Sequence, residues 1–177
     1  MRHSSLLRSL LALAALAGPL VSCAPYQVNA PRTPVAPVEL YAIFLRGIQQ
    51  EVVNAVGEAP HVGGRILGVY YDREAVRRYV GYQHDLSQGI TERLPILSPP
   101  EGDTGLRQAH VAYVDAVTGL RDATSKALAS SDSELIFAVY GIPFEVGGAA
   151  LDMWSTCNTL QDFVRKYSDV ELICGTR

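Results

Sequence analysis

The chain has 177 residues, 48% of them hydrophobic, and a formal charge of −3 from 15 basic and 18 acidic side chains. That is enough apolar material for one ordinary domain with a real core. The acidic balance argues against a nucleic-acid role, because nucleic-acid binders carry basic faces, and against electrostatic adhesion to anionic lipid.

The first nine residues hold Arg2 and Arg8 and no acid. An apolar run of about 12 residues follows, from Leu10 to Val21. A helix needs about 20 apolar residues to span a bilayer, and Pro19 would break this one. The pattern is that of a secretory signal peptide. At its end stand Leu20, Val21, Ser22 and Cys23. This stretch resembles the lipobox of bacterial lipoproteins, in which an apolar, a tolerant and a small residue precede a cysteine. The resemblance covers residues 1–23 alone. It implies that residues 1–22 are removed and that the Cys23 thiol carries a diacylglycerol, with the new amine acylated as well. Ala24 in place of an Asp implies the outer membrane, facing the periplasm, if the source is Gram-negative. Each buried methylene contributes about 0.8 kcal/mol, so two or three acyl chains hold a protein on a membrane durably. An ordinary signal peptide cut near Ser22 would instead leave a free thiol open to oxidation.

Removal of residues 1–22 takes away Arg2 and Arg8, leaving 13 basic against 18 acidic residues, a charge of −5. Of the three cysteines, Cys157 and Cys174 then remain. An even pair in an exported chain favours a disulfide. It would close a loop of about 17 residues, worth on the order of 3 kcal/mol. On one continuous helix the two residues would stand ~25 Å apart. The helix carrying Cys157 must therefore end and the tail double back, or lie across a neighbour.

Residues 23–36 carry Pro25, Pro31 and Pro34 without apolar periodicity. They read as a tether of polyproline II character, able to hold the domain up to roughly 40 Å from the bilayer. Residues 37–177 form the domain. Pro37 suits a first helical position, and Tyr41, Phe44, Leu45, Ile48, Val52, Ala55 and Val56 follow at helical spacing until Gly57 and Pro60. The glycine-rich segment 61–70 has room for a short extended piece over 65–70. It lacks the spacing of a P-loop or a dinucleotide site.

Asp72 reads as a helix N-cap, with Tyr71 and Val76 placed as a hydrophobic staple. The stripe Val76, Tyr79, Val80, Gln83, Leu86, Ile90 and Leu94 continues to Pro95. Glu74 and Arg78 are spaced as an i,i+4 ion pair. A third helix starts at Asp103 or Thr104 and carries Leu106, His110, Tyr113, Val117, Leu120, Thr124 and Leu128 at near-heptad spacing. Ser131 and Glu134 have capping-box spacing for a short helix to Tyr140, closed by Gly141. Residues 135–140 read equally well as a buried strand. Pro143 opens the last helix, whose core face is Val146, Ala149, Ala150, Met153, Trp154, Cys157, Leu160 and Val164. Gly47, Gly81, Gly89, Gly119, Gly147 and Gly148 lie inside helices. Each costs ~1 kcal/mol against Ala, which points to close helix approach or to room for a ligand.

The chemistry-bearing motifs are few. His61, His84 and His110 form no metal-ligand spacing, although His84–Asp85 and His110–Asp115 could meet across a bundle. The C-x-x-C-H haem signature is absent, as is the G-x-S-x-G elbow. No metal, cofactor or enzymatic activity is expected. Tyr79 and Tyr82 on the second helix, with His110 and Tyr113 on the third, are the candidate ligand-binding residues. Amphipathic aromatics of this kind occur at binding surfaces and at bundle edges alike. The sequence thus predicts a mainly α domain. It is an antiparallel bundle of about four long helices and one short one, with a disulfide-tied C-terminal tail. The expected role is that of a lipid-anchored, non-enzymatic envelope lipoprotein that meets envelope proteins or the cell wall. The alternative is a tethered binder of a small apolar ligand between the helices.

Overall fold

The computed structural model describes residues 36–60, 72–140 and 145–175. The expected signal peptide, Cys23, the expected tether before Ala36, His61, the extended piece expected over 65–70, Tyr71 of the expected staple, and Gly141 and Pro143 lie outside the described residues.

The described residues form four long helices and one short one: α1 (Pro37–Val56), α2 (Arg73–Arg93), α3 (Thr104–Leu128), α4 (Asp132–Tyr140) and α5 (Glu145–Val164). A 3₁₀ turn, Leu94–Ile96, extends α2. The described residues contain no strand. The α4 segment is therefore a helix, and its cap accounts for that. The Glu134 carboxylate accepts from the Ser131 backbone N–H at 2.9 Å and from its hydroxyl at 2.7 Å. These bonds satisfy a donor that the first helical turn leaves orphaned, and they hold the Glu134 carboxyl below its ordinary pKa. The other starts are equally local. Asp72 accepts from the N–H groups of Glu74 and Ala75, and Asp103 from that of Leu106 at 2.9 Å. Glu74 and Arg78 form the expected pair at 2.7 Å.

The bundle is organised around α3, which packs most extensively against α5 and α2. Helices α2 and α5 both lie on α3 and barely touch one another, while α1 bridges them at one end and α4 at the other. Two apolar clusters result. One joins α1 and the C-terminal tail to the end of α2, the start of α3 and the end of α5. The other joins α4 to the start of α2, the end of α3 and the start of α5.

The disulfide Cys157–Cys174 is formed, with Cα atoms 5.3 Å apart. The chain leaves α5 at Val164, turns through Arg165–Tyr167, and returns along the bundle. Two buried glutamines hold the returning strand of chain. The Gln161 amide nitrogen donates to the Val170 carbonyl at 3.1 Å, and its oxygen accepts from the Leu172 N–H. The Gln49 oxygen accepts from the Ile173 N–H at 2.8 Å. A tail with no sheet or helix partner needs such bonds, because buried backbone groups left unpaired cost free energy.

Gln49 also corrects the expected face of α1. Its buried residues are Tyr41, Ala42, Leu45, Gln49 and Val52. Phe44, assigned to the core stripe, is 61% exposed, and Ala55 is exposed as well. At about 100° per residue, burying Ala42 and Gln49 turns the inner face away from Phe44. A second correction concerns Trp154, assigned to the core face of α5 but 51% exposed. It lies over Gly175 (φ +123°), where an added Cβ would come within 2.9 Å of the indole.

Among the helical glycines, Gly89 marks a close approach. A Cβ there would stand 2.9 Å from Val52 of α1, whereas Gly47, Gly81, Gly119 and Gly148 face open space.

Candidate functional site

The gap between α2 and α5 is closed at its two ends and not in its middle. A cavity of about 310 Å³ remains there. Its floor is Tyr113 of α3. Its walls are Tyr79, Tyr82, Gln83, Leu86 and Ile90 on α2 and Ala150, Met153, Trp154 and Cys157 on α5. Gln49 and Val53 of α1, with Ile173, Cys174 and Gly175 of the tail, line its end. No described lining residue is charged. Tyr79, Gln83, Leu86 and Met153 belong to helix core stripes yet are only half-buried, because each borders this space. The volume falls at the lower end of the range for small-molecule sites.

The polar groups at the floor form one chain. Ile173 donates its N–H to the Gln49 oxygen, which orients the amide so that its nitrogen faces inward. That nitrogen donates to the Tyr113 hydroxyl at 3.0 Å and lies 3.7 Å from the Cys157 sulfur. Tyr113 is 1% exposed. Burial pushes its pKa up to about 12 against the opposing effect of the Gln49 bond. Burial, with Tyr79 nearby, also raises that of Tyr82. Both hydroxyls therefore keep their protons at neutral pH.

Three of the four candidate ligand-binding residues, Tyr79, Tyr82 and Tyr113, thus border one cavity. His110 does not. It stands on another side of α3, beside a more open groove of about 580 Å³ between that helix and the proline-rich loop after α2. It is 8% exposed. Its Nδ1 lies 2.9 Å from the Tyr41 hydroxyl, and the two rings meet edge to face. Burial lowers its pKa. His84 pairs with its neighbour Asp85 at 3.1 Å, and His110 with Tyr41. Among the described residues no group of three or more His, Cys, Asp or Glu side chains could hold a metal ion.

Reading the sequence for apolar periodicity passes over Gln49, the residue that organises the floor. A signal for it was present, since Tyr41, Leu45, Gln49 and Val52 recur at four, four and three. The contribution of Ile173 and Cys174 follows only from the disulfide and the path of the tail. No protein family, no curated protein and no solved structure matches the chain.

Proposed function

We propose that this chain is a lipid-anchored envelope protein, held through Cys23, whose helical domain binds a small apolar ligand in the cavity between α2 and α5. The observation that carries the reading is a mainly apolar cavity of about 310 Å³, with no charge on its described lining residues and a buried tyrosine hydroxyl at its floor. A helical bundle with no ligand to receive gains from closing such a space, since empty volume in a core costs free energy. The anchor rests on the lipobox resemblance at Leu20–Cys23. No catalytic role is assigned.

Two experiments test the two halves. Cys23→Ser abolishes incorporation of labelled palmitate and leaves the precursor unprocessed by the lipoprotein pathway. Continued labelling of that variant contradicts the anchor. The neutral dye N-phenyl-1-naphthylamine binds saturably, and Ala150→Phe, which fills the cavity from α5, removes the saturable component. Unchanged saturable binding in that variant contradicts the site.

A second reading has the same anchored domain dock on an envelope protein. Leu40, Ile43 and Phe44 favour it, being exposed apolar side chains on successive turns at the start of α1. Crosslinking in the native envelope, followed by mass spectrometry, tests it. Recovery of no partner through α1 rejects it.

A further inference from the structure

The chemistry of the cavity restricts what it can receive, given that it is a binding site as proposed above. Gln49 decides the first restriction. Its oxygen is committed to the Ile173 N–H, so its nitrogen must be the group that meets Tyr113. The Tyr113 oxygen is therefore an acceptor in that bond, and the Tyr113 proton is left over. It has no acceptor among the described residues. A phenol offers one donor, and a buried donor without a partner costs roughly 1–3 kcal/mol. The hydroxyls of Tyr79 and Tyr82, on the facing wall, also have no hydrogen-bond partner among the described residues.

The second restriction is electrostatic. A charged ligand would leave water for a cavity in which no described lining residue carries a compensating charge. Burying an unpaired ion costs far more than the hydrogen bonds on offer return. The third is shape and surface. Leu86, Ile90, Ala150 and Met153 present only apolar atoms, and Trp154 stands at the rim beside Gly175. Gln83, half-buried on the α2 wall, adds an amide that offers a donor and an acceptor alike.

We infer that the cavity selects a neutral, largely apolar molecule bearing a hydrogen-bond-accepting oxygen, such as a ketone, ester or ether. The oxygen is seated on the Tyr113 hydroxyl and the apolar body lies between α2 and α5.

Three probes of matched size separate the restrictions: 2-acetylnaphthalene (neutral acceptor), 2-isopropenylnaphthalene (neutral, no acceptor) and 2-naphthoate (anionic acceptor). Trp154 is the only tryptophan, so its fluorescence, and the single indole N–H resonance in an NMR spectrum, report occupancy of the rim. The titrations use the protein in lipid nanodiscs. The ketone binds tightest, about five- to tenfold over the hydrocarbon, as one added hydrogen bond provides, and by at least as much over the anion. Tyr113→Phe reduces the ketone-to-hydrocarbon ratio to about one. Should that variant fold poorly, the carbonyl stretching band of the ketone bound to the wild-type protein reads the same bond: a shift to lower frequency than in hydrocarbon solvent supports it, and an unshifted band overturns it. Equal binding of ketone and hydrocarbon, or a preference for the carboxylate, overturns the ligand class while leaving the cavity as a binding site. Failure of all three probes overturns the binding reading itself.

Discussion

The two ends of the bundle are built by different means. At the α4 end, Val76, Val80, Leu120, Leu135, Val139 and Val146 form an apolar cluster. Charged groups there stay at the periphery, as in the pairs Arg77–Asp132 and Lys126–Glu145, and the buried Thr124 hydroxyl donates to the Leu120 carbonyl of its own helix. At the α1 end the cluster also contains Tyr41 and Tyr113, with His110, Gln49 and Gln161 buried beside it, and the disulfide crosses it. The difference follows from what each end must bury. A helix satisfies its own backbone, so α4 needs only an apolar stripe and a cap. The tail after Val164 cannot, so the α1 end supplies side-chain amides for its N–H and C=O groups. The cavity lies between these two modes, where α2 and α5 part.

Breaking each end separately tests the comparison. Leu135 is fully buried at the α4 end. Leu135→Ala removes about 2–5 kcal/mol of stability in urea unfolding, and the folded protein still binds the ketone probe with unchanged affinity. Loss of binding by the folded variant would join the two ends into one unit. At the other end, Cys157→Ser with Cys174→Ser costs about 3 kcal/mol for a 17-residue separation. It also frees the tail that lines the cavity, so probe binding weakens in protein that remains folded. Full retention of binding would show that the tail is not part of the site. Gln161→Leu costs less, about 1–3 kcal/mol, by leaving the Val170 carbonyl and Leu172 N–H without their partner. Its signature is faster amide exchange at Leu172, with α4 unaffected.

The smallest expected effect is a pH dependence confined to the α1 end. Burial holds the His110 pKa below its ordinary value. The unfolded chain therefore takes up a proton first, near pH 6.5. Stability falls as pH drops through that value toward the lowered folded pKa, and levels off below it. The carboxyls of Asp103 and Glu134, both lowered by their capping bonds, add their own losses only at more acid pH, below about 4. Urea midpoints from pH 7.5 to 5 fall in the wild type. In His110→Gln the decline is absent. An identical decline in both would place its source elsewhere.

The same contrast explains what was legible in the sequence. The four long helices rest on local signals, since Asp72 and Asp103 start helices and apolar spacing marks inner faces, whereas residues 135–140 offered the Ser131–Glu134 box but read equally well as a strand. Even the disulfide followed from counting cysteines. Phe44 and Trp154 were misplaced because periodicity registers an apolar side chain without registering what stands opposite it. Gln49 was missed for the converse reason, since its burial depends on Tyr113 and on a backbone N–H 124 residues away. His110 and Tyr113, one turn apart on α3, were grouped as one site. The helix instead directs them to different grooves.

The central claim is that the space between α2 and α5 is a ligand site organised by Gln49 and Tyr113. A crystal structure of the protein with 2-acetylnaphthalene tests it most directly. The account predicts the ketone oxygen within hydrogen-bond distance of the Tyr113 hydroxyl, with the naphthalene between Leu86 and Met153. A cavity left empty or closed by side chains, with the probe elsewhere on the surface, would contradict it.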